Sequence, residues 1–130
     1  MKLMKPMKNS AIILTIAAFF LLGSCSAMSE MEETKSLTIT TPDYKKLPDG
    51  TYRGAYDGGL VIAEVAVTIT GKKIELVELL RHDHGRGKEA EKIVDHIVEA
   101  QSLEIDVISG ATVSSKAILK ATENALSPAQ

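Results

Sequence analysis

The sequence predicts an α+β domain: a small antiparallel sheet built on one hairpin and packed with two helices, preceded by a signal peptide and a flexible stalk. Three observations carry that expectation. Over residues 60–70, Val61, Ala63, Val65, Val67 and Ile69 recur at every second position, with Glu64, Thr68 and Thr70 between them, the period of a strand with one face in a core. Gly71 then marks a tight turn into residues 74–81, so the two runs read as an antiparallel hairpin. From residue 88 the period changes, and Ala90, Ile93, Val94, Ile97 and Val98 fall at helical spacing opposite Lys, Glu and Asp. Strands followed by helices in one short chain without internal repeats give the α+β class.

The amino-terminal elements have a different purpose. Lys2, Lys5 and Lys8 precede an uncharged apolar run over residues 11–22, which ends in Leu22-Gly23-Ser24-Cys25. This pattern reads as a lipoprotein signal peptide over residues 1–24, with Cys25 as the lipidated residue. The run is too short for an ordinary bilayer-spanning helix, and two acyl chains on one residue anchor a protein stably. Lipidation also consumes the only cysteine, which removes disulfides, thiolate metal sites and a cysteine nucleophile from consideration. Loss of residues 1–24 removes three lysines and no acid, taking the formal charge from -2 to -5. That balance, with neither tryptophan nor phenylalanine left for base stacking, argues against a nucleic-acid partner.

Residues 25–46 are rich in Ser, Thr, Glu and Lys without a sustained apolar period, and read as the lipidated cysteine followed by a flexible linker. The domain is expected over residues 47–127, with a tail at 128–130. That length holds one core and leaves no room for separate cofactor and substrate domains. Asp49-Gly50 is a turn signal that introduces a strand over 51–56, where Tyr52, Gly54 and Tyr56 share a face. The helix over 88–101 should cover one face of the sheet. A second helix over 114–126 uses Ala117, Ile118, Ala121 and Ala125 as its inner stripe and ends at Ser127-Pro128.

The residues ahead of that last helix carry the chemistry. Asp106-Val107-Ile108 leads out of an extended segment, Ser109-Gly110-Ala111 makes a bend, and Thr112 to Ser115 opens the helix. Free N–H groups and the positive end of the dipole favour an anion there. Gly110 and Ala111 leave space for a phosphate, and Ser114 and Ser115 can donate hydrogen bonds. Read plainly, the same residues are a helix start with Thr112 or Ser114 as N-cap.

Beyond the tetrapeptide Ser109-Gly110-Ala111-Thr112, the motifs extend through most of the domain: Asp49-Gly50-Thr51-Tyr52 with Gly54, the valine-rich hairpin, Glu99-Ala100-Gln101-Ser102 before Asp106, and Ser114-Ser115-Lys116-Ala117-Ile118-Leu119 running to Ala125-Leu126. Together they resemble the small extracytoplasmic FMN-binding domains, a covalently flavinylated family related to the flavin-carrying subunits of sodium-translocating NADH:quinone reductase and similar electron-transport complexes. The resemblance implies FMN carried by a phosphoester on Thr112. A threonine hydroxyl is a weak nucleophile at neutral pH, and in that family a metal-dependent flavin transferase moves the FMN group from FAD to the hydroxyl. Asp106 is then a recognition or positioning residue. Ser109, Gly110 and Ala111 also match the family pattern.

One loop departs from it: His82-Asp83-His84-Gly85-Arg86-Gly87 stands where the family often has a Glu-Thr-Pro-Gly-like sequence. The glycines would let backbone approach the flavin ring, and Arg86 would pair with its oxygens. His82, Asp83 and His84, with His96 as a third imidazole, raise a metal reading. Two histidines two apart in a polar loop are more often solvated, and no fourth ligand is evident, so no metal is expected. Tyr52 and Tyr56 are candidates for packing near the ring, with core packing as their plain role.

The expectation is thus a membrane-anchored extracytoplasmic flavoprotein, facing out from the cell membrane or into the periplasm, that serves as an electron-transfer carrier more than as a stand-alone enzyme. A flavin transferase matures it, and a membrane oxidoreductase or quinol supplies electrons for an extracytoplasmic acceptor. The alternative is a noncovalent FMN- or ligand-binding module, or a structural lipoprotein without redox use. A hydrolase with Ser109 or Thr112 as nucleophile lacks a base in a recognisable triad context.

Overall fold

The computed structural model describes residues 26–84 and 87–127. The expected signal segment, Cys25, Gly85, Arg86 and the tail at 128–130 lie outside the described residues. The order is a helix over 26–35 (α1), a 3-10 turn at Tyr44–Lys46, strands β1 (Gly50–Asp57), β2 (Ile62–Thr70) and β3 (Lys73–Asp83), a 3-10 turn at Lys88–Lys92, then α2 (Ile93–Ala100) and α3 (Thr112–Leu126). The three strands form one antiparallel sheet in the order β1-β2-β3, and the α+β class holds. Among the described residues, no helix is long and apolar enough to cross a membrane.

Alternation through β2 places Ala63, Val65, Val67 and Ile69 in the core, with Val61 just before the strand buried in the same series, as their spacing predicts. Against this face lies α3, which crosses β1 and β2, while α2 lies on β3. The closest approach is at Gly54 on β1, where an added Cβ would stand 2.2 Å from the carbonyl oxygen of Ala121 and 2.3 Å from the amide nitrogen of Ala125. Two backbones meet there because glycine faces alanines.

The hairpin is less regular than the sequence suggests. Pairing runs Ile69 to Ile74 but Thr68 to Leu76, and Val65 to Leu79 but Glu64 to Arg81. Each slip is a β-bulge that adds one residue to β3 and moves the following side chains to the other face. After the second bulge His82, paired with the core residue Ala63, points inward, and its side chain is only 2% exposed.

Residues 26–46 differ from the expected flexible linker. Beyond α1, Thr34 and Tyr44 are buried in the domain. Thr34 Oγ1 shares a hydrogen bond with the Tyr56 hydroxyl at 3.2 Å. Lys116 Nζ donates to the Leu37 carbonyl at 2.8 Å, the Thr40 N–H donates to Glu123 at 3.2 Å, and the Leu103 N–H donates to Thr41 Oγ1 at 3.0 Å. The segment reaches a second side of α3, at Lys116 and Glu123; Leu119 and Thr122 are buried as well, outside the expected stripe. Polar composition concealed this packing because its anchors are hydroxyls and backbone groups instead of a periodic apolar face.

At the end of α2, Gln101 adopts the left-handed conformation (φ 54°). Its side-chain amide imitates a neighbouring strand: Oε1 accepts the Ile74 N–H at 2.9 Å, and Nε2 donates to the carbonyls of Ile74 and Val98 at 2.8 and 2.7 Å. Its own carbonyl accepts the Tyr44 hydroxyl at 2.9 Å.

Two outcomes are expected from chemical denaturation. Gly54→Ala forces α3 off the sheet and destabilises the fold by about 2 kcal/mol or more, in the range of core overpacking. Gln101→Ala leaves the Ile74 amide unpaired on the sheet edge and costs about 1–3 kcal/mol.

Candidate functional site: the cleft at the start of α3

The site is built by a turn that only glycine makes easily. Ile108 O accepts the Ala111 N–H at 3.0 Å, closing a turn through Ser109 and Gly110, and Gly110 has φ +79°, the left-handed geometry required at the third position of a type II turn. Ser115, fully buried, locks the turn from inside: its Oγ accepts the Ile108 N–H at 3.0 Å. The helix then starts at Thr112, with its first internal bond from the Ser115 N–H to the Ala111 carbonyl at 2.9 Å.

The cap position is occupied by Ala111, and among the described residues no side chain caps the helix. Neither Thr112 nor Ser114 is therefore the N-cap that the plain reading would require. The N–H groups of the first turn have no intrahelical acceptor, and they stand at the positive end of a helix 15 residues long.

This helix start forms one wall of a cleft of about 600 Å3, lined from α3 and its turn by Gly110, Ala111, Thr112, Val113 and Ser114. Such a volume lies within the roughly 300–1,000 Å3 of small-molecule sites. The remaining wall comes from Leu60 and Val61 before β2, from Gly87, and from Met31 and Lys35 on α1. Most of that surface is apolar, and the partly exposed Met31 and Leu60 belong to it. Lys35 is the one cation among the described lining residues, and its Nζ lies 3.2 Å from Glu32.

Of the residues expected to bind a cofactor, the cleft thus brings together Thr112, Gly110, Ala111 and Ser114. Ser115 stands behind them as a brace. Ser109 and Asp106 are both exposed and do not line the cleft, and Asp106 borders a separate shallow depression with His96 and Glu104. Tyr52 and Tyr56 also lie elsewhere; the Tyr52 hydroxyl donates to the Pro48 carbonyl at 2.6 Å. Sequence reasoning missed Met31, Lys35 and Leu60. The methionine and lysine stand four apart, on one face of a helix, but lie in a stretch whose composition reads as a linker.

Gly87 is where the β3 side of the cleft touches α3. A Cβ there would come within 1.9 Å of Ser114 Oγ and 2.6 Å of Ser114 Cβ. Since Ser114 is buried, it has little freedom to withdraw.

Such a fold and site define a class: a small α+β domain with an uncapped helix start on the wall of a largely apolar cleft, chemically suited to a ligand with an anionic end and an apolar body. The family follows from sequence, since the model of the FMN-binding domain matches residues 59–127, and the chain belongs to that family. An uncharacterized protein of Treponema pallidum (strain Nichols) is 29% identical over 130 residues, covering 94% of this chain. The match spans 36% of that relative's length.

The residues present fit FMN by their chemistry. The open N–H groups at Thr112 suit a phosphate, and Met31, Leu60, Val61 and Val113 offer apolar contact for a tricyclic ring. Gly87→Ala should reduce flavin loading several-fold, because the new methyl overlaps Ser114, which cannot withdraw, and so deforms the cleft wall. Gly87 has φ -93°, a value open to any residue, so the effect is steric. Flavin absorbance per mole of purified protein measures it.

Proposed function

We propose that this protein is a lipid-anchored, extracytoplasmic electron carrier that holds FMN by a phosphoester on Thr112. The observation that carries the reading is the position of Thr112: it is the first residue of α3, half-buried, on the wall of the cleft, beside backbone N–H groups that no side chain caps. A hydroxyl there is set where a phosphate would be stabilised, yet among the described residues no imidazole lines the cleft to activate it. That agrees with attachment by a separate flavin transferase, for which the exposed Asp106 is accessible as a recognition residue.

In this reading Thr112, Gly110, Ala111 and Ser114 hold the phosphate end, with Ser115 fixing the turn. Lys35 adds a positive charge near the anion, and Met31 and Leu60 cover apolar ring surface. Bound FMN supplies transfer of one or two electrons. The protein supplies retention and placement, because a covalent tie prevents loss of the cofactor where no cytoplasmic pool replaces it. Electrons would arrive from a membrane oxidoreductase or quinol and leave to another extracytoplasmic acceptor through brief contacts. Lipidation at Cys25 and removal of residues 1–24 place it on the membrane surface.

Intact mass of the full chain, produced with and without a flavin transferase, tests the attachment. The expected result is a gain of one FMN less water that requires both the transferase and Thr112, and that is absent from Thr112→Ala. An unmodified mass, obtained while the transferase modifies a control substrate, overturns the covalent reading. Flavin that then leaves on denaturation and filtration identifies the noncovalent alternative.

A further inference from the structure

We infer that His82, His84 and Glu91 form a binding site for a divalent first-row transition cation, with zinc as its natural probe. The three residues come from two elements: His82 from the end of β3, His84 just beyond it, and Glu91 from the 3-10 turn at Lys88–Lys92. One donor atom from each lies within 4.8 Å of the others. Glu91 Oε1 is 3.3 Å from His82 Nδ1 and 3.8 Å from His84 Nε2. Two ligands held tetrahedrally at about 2.0–2.1 Å from zinc stand roughly 3.3–3.5 Å apart, so the carboxylate already has nearly the spacing that a shared cation imposes.

The second observation is the burial of His82. Its side chain is 2% exposed, and among the described residues its Nε2 has no hydrogen-bond partner; the same is true of His84 Nδ1. The two rings lie 4.5 Å apart with 33° between their planes. Half-paired imidazoles on the core side of a strand are costly if packing is their only purpose. The unpartnered nitrogens are those turned away from Glu91; the two that face it, His82 Nδ1 and His84 Nε2, converge on one carboxylate oxygen, as the ligands of a shared cation do.

The β-bulge between Leu79 and Arg81 creates this arrangement. Without it Arg81 and Asp83 would face inward; with it they pair on the outer side, where Arg81 Nε is 3.0 Å from Asp83 Oδ2. Asp83 is thereby engaged away from the histidines, and His96 is exposed on α2. Neither of the further ligands that the sequence suggested belongs to the cluster, and Glu91 takes their place.

Two imidazoles and one carboxylate are the donor set of zinc and neighbouring divalent ions, ill-matched to calcium, magnesium or monovalent copper. Three protein ligands leave a fourth position for water or a small ligand; His84 is 23% and Glu91 40% exposed, so solvent reaches the site. A bound ion would tie the end of β3 to the 3-10 turn that follows Gly87. A Cβ on Gly87 would also lie 3.4 Å from His84 Cβ, so the metal site backs directly onto the cleft wall.

The test uses the untagged full chain, stripped with a chelator and titrated with zinc, with folding of every variant checked by circular dichroism. One zinc per chain is expected, with affinity at least tenfold weaker in His84→Ala and in Glu91→Gln, and unchanged in Asp83→Asn and His96→Ala. His84 and Glu91 are partly exposed, so both variants retain the fold. Cobalt in a Thr112→Ala background, free of covalent flavin colour, should give the intense visible bands of tetrahedral coordination and lose them with Glu91→Gln. No stoichiometric zinc, binding indifferent to His84 and Glu91, or a cobalt spectrum unchanged by Glu91→Gln would overturn the assignment.

Discussion

The close packing of α3 on β1 and β2 is the contact on which the rest of this structure depends. Gly54 faces Ala121 and Ala125 so closely that a methyl group would strike backbone atoms. Small residues on both surfaces therefore set the height and direction of the helix over the sheet. Its N-terminus, about three turns from Ala121 and Ala125, is carried to the end of the sheet where the chain before β2 and Gly87 complete a cleft. Thr112 takes its position from packing at the other end of its own helix.

Much of this was legible because it rests on periodicity. The alternation of Val61 through Ile69 gave β2 and its buried face, and the stripe from Ala117 to Ala125 gave the inner side of α3. Gly110 and its neighbours were readable as a bend because the turn needs a residue at positive φ. Two features were hidden. The bulges in β3 are slips between strands, a pairwise property with no local composition, and they decide that His82 points inward. Residues 26–46 have no apolar stripe, yet Thr34, Leu37, Thr41 and Tyr44 join them to the domain through hydrogen bonds formed across long sequence separations.

The alanine at the cap of α3 leaves this helix start without the side-chain cap that a purely structural one ordinarily has. A Ser, Thr, Asp or Asn at position 111 would satisfy one first-turn N–H and stabilise the helix by about 1 kcal/mol. Ala111 forgoes that, although Ser109, Thr112 and Ser114 stand within three positions of it. Ser115, the best placed hydroxyl inside the turn, faces backward to the Ile108 amide. The N–H groups of the helix start are thus left uncapped, the arrangement that an anion site would use.

The packed amino-terminal segment also bears on how a tethered carrier would work. A flexible linker would let the domain range far from its anchor, but helix already includes residue 26 and continues to residue 35, a rod about 15 Å long at 1.5 Å per residue. Met31 and Lys35 on that rod line the cleft. On the lipoprotein reading, the acylated residue therefore immediately precedes the helix that helps to enclose the cofactor. On that reading the cleft would lie within roughly one helix length of the membrane surface. Reach by a long stalk would give way to proximity, which would favour exchange with a partner in or on the same membrane.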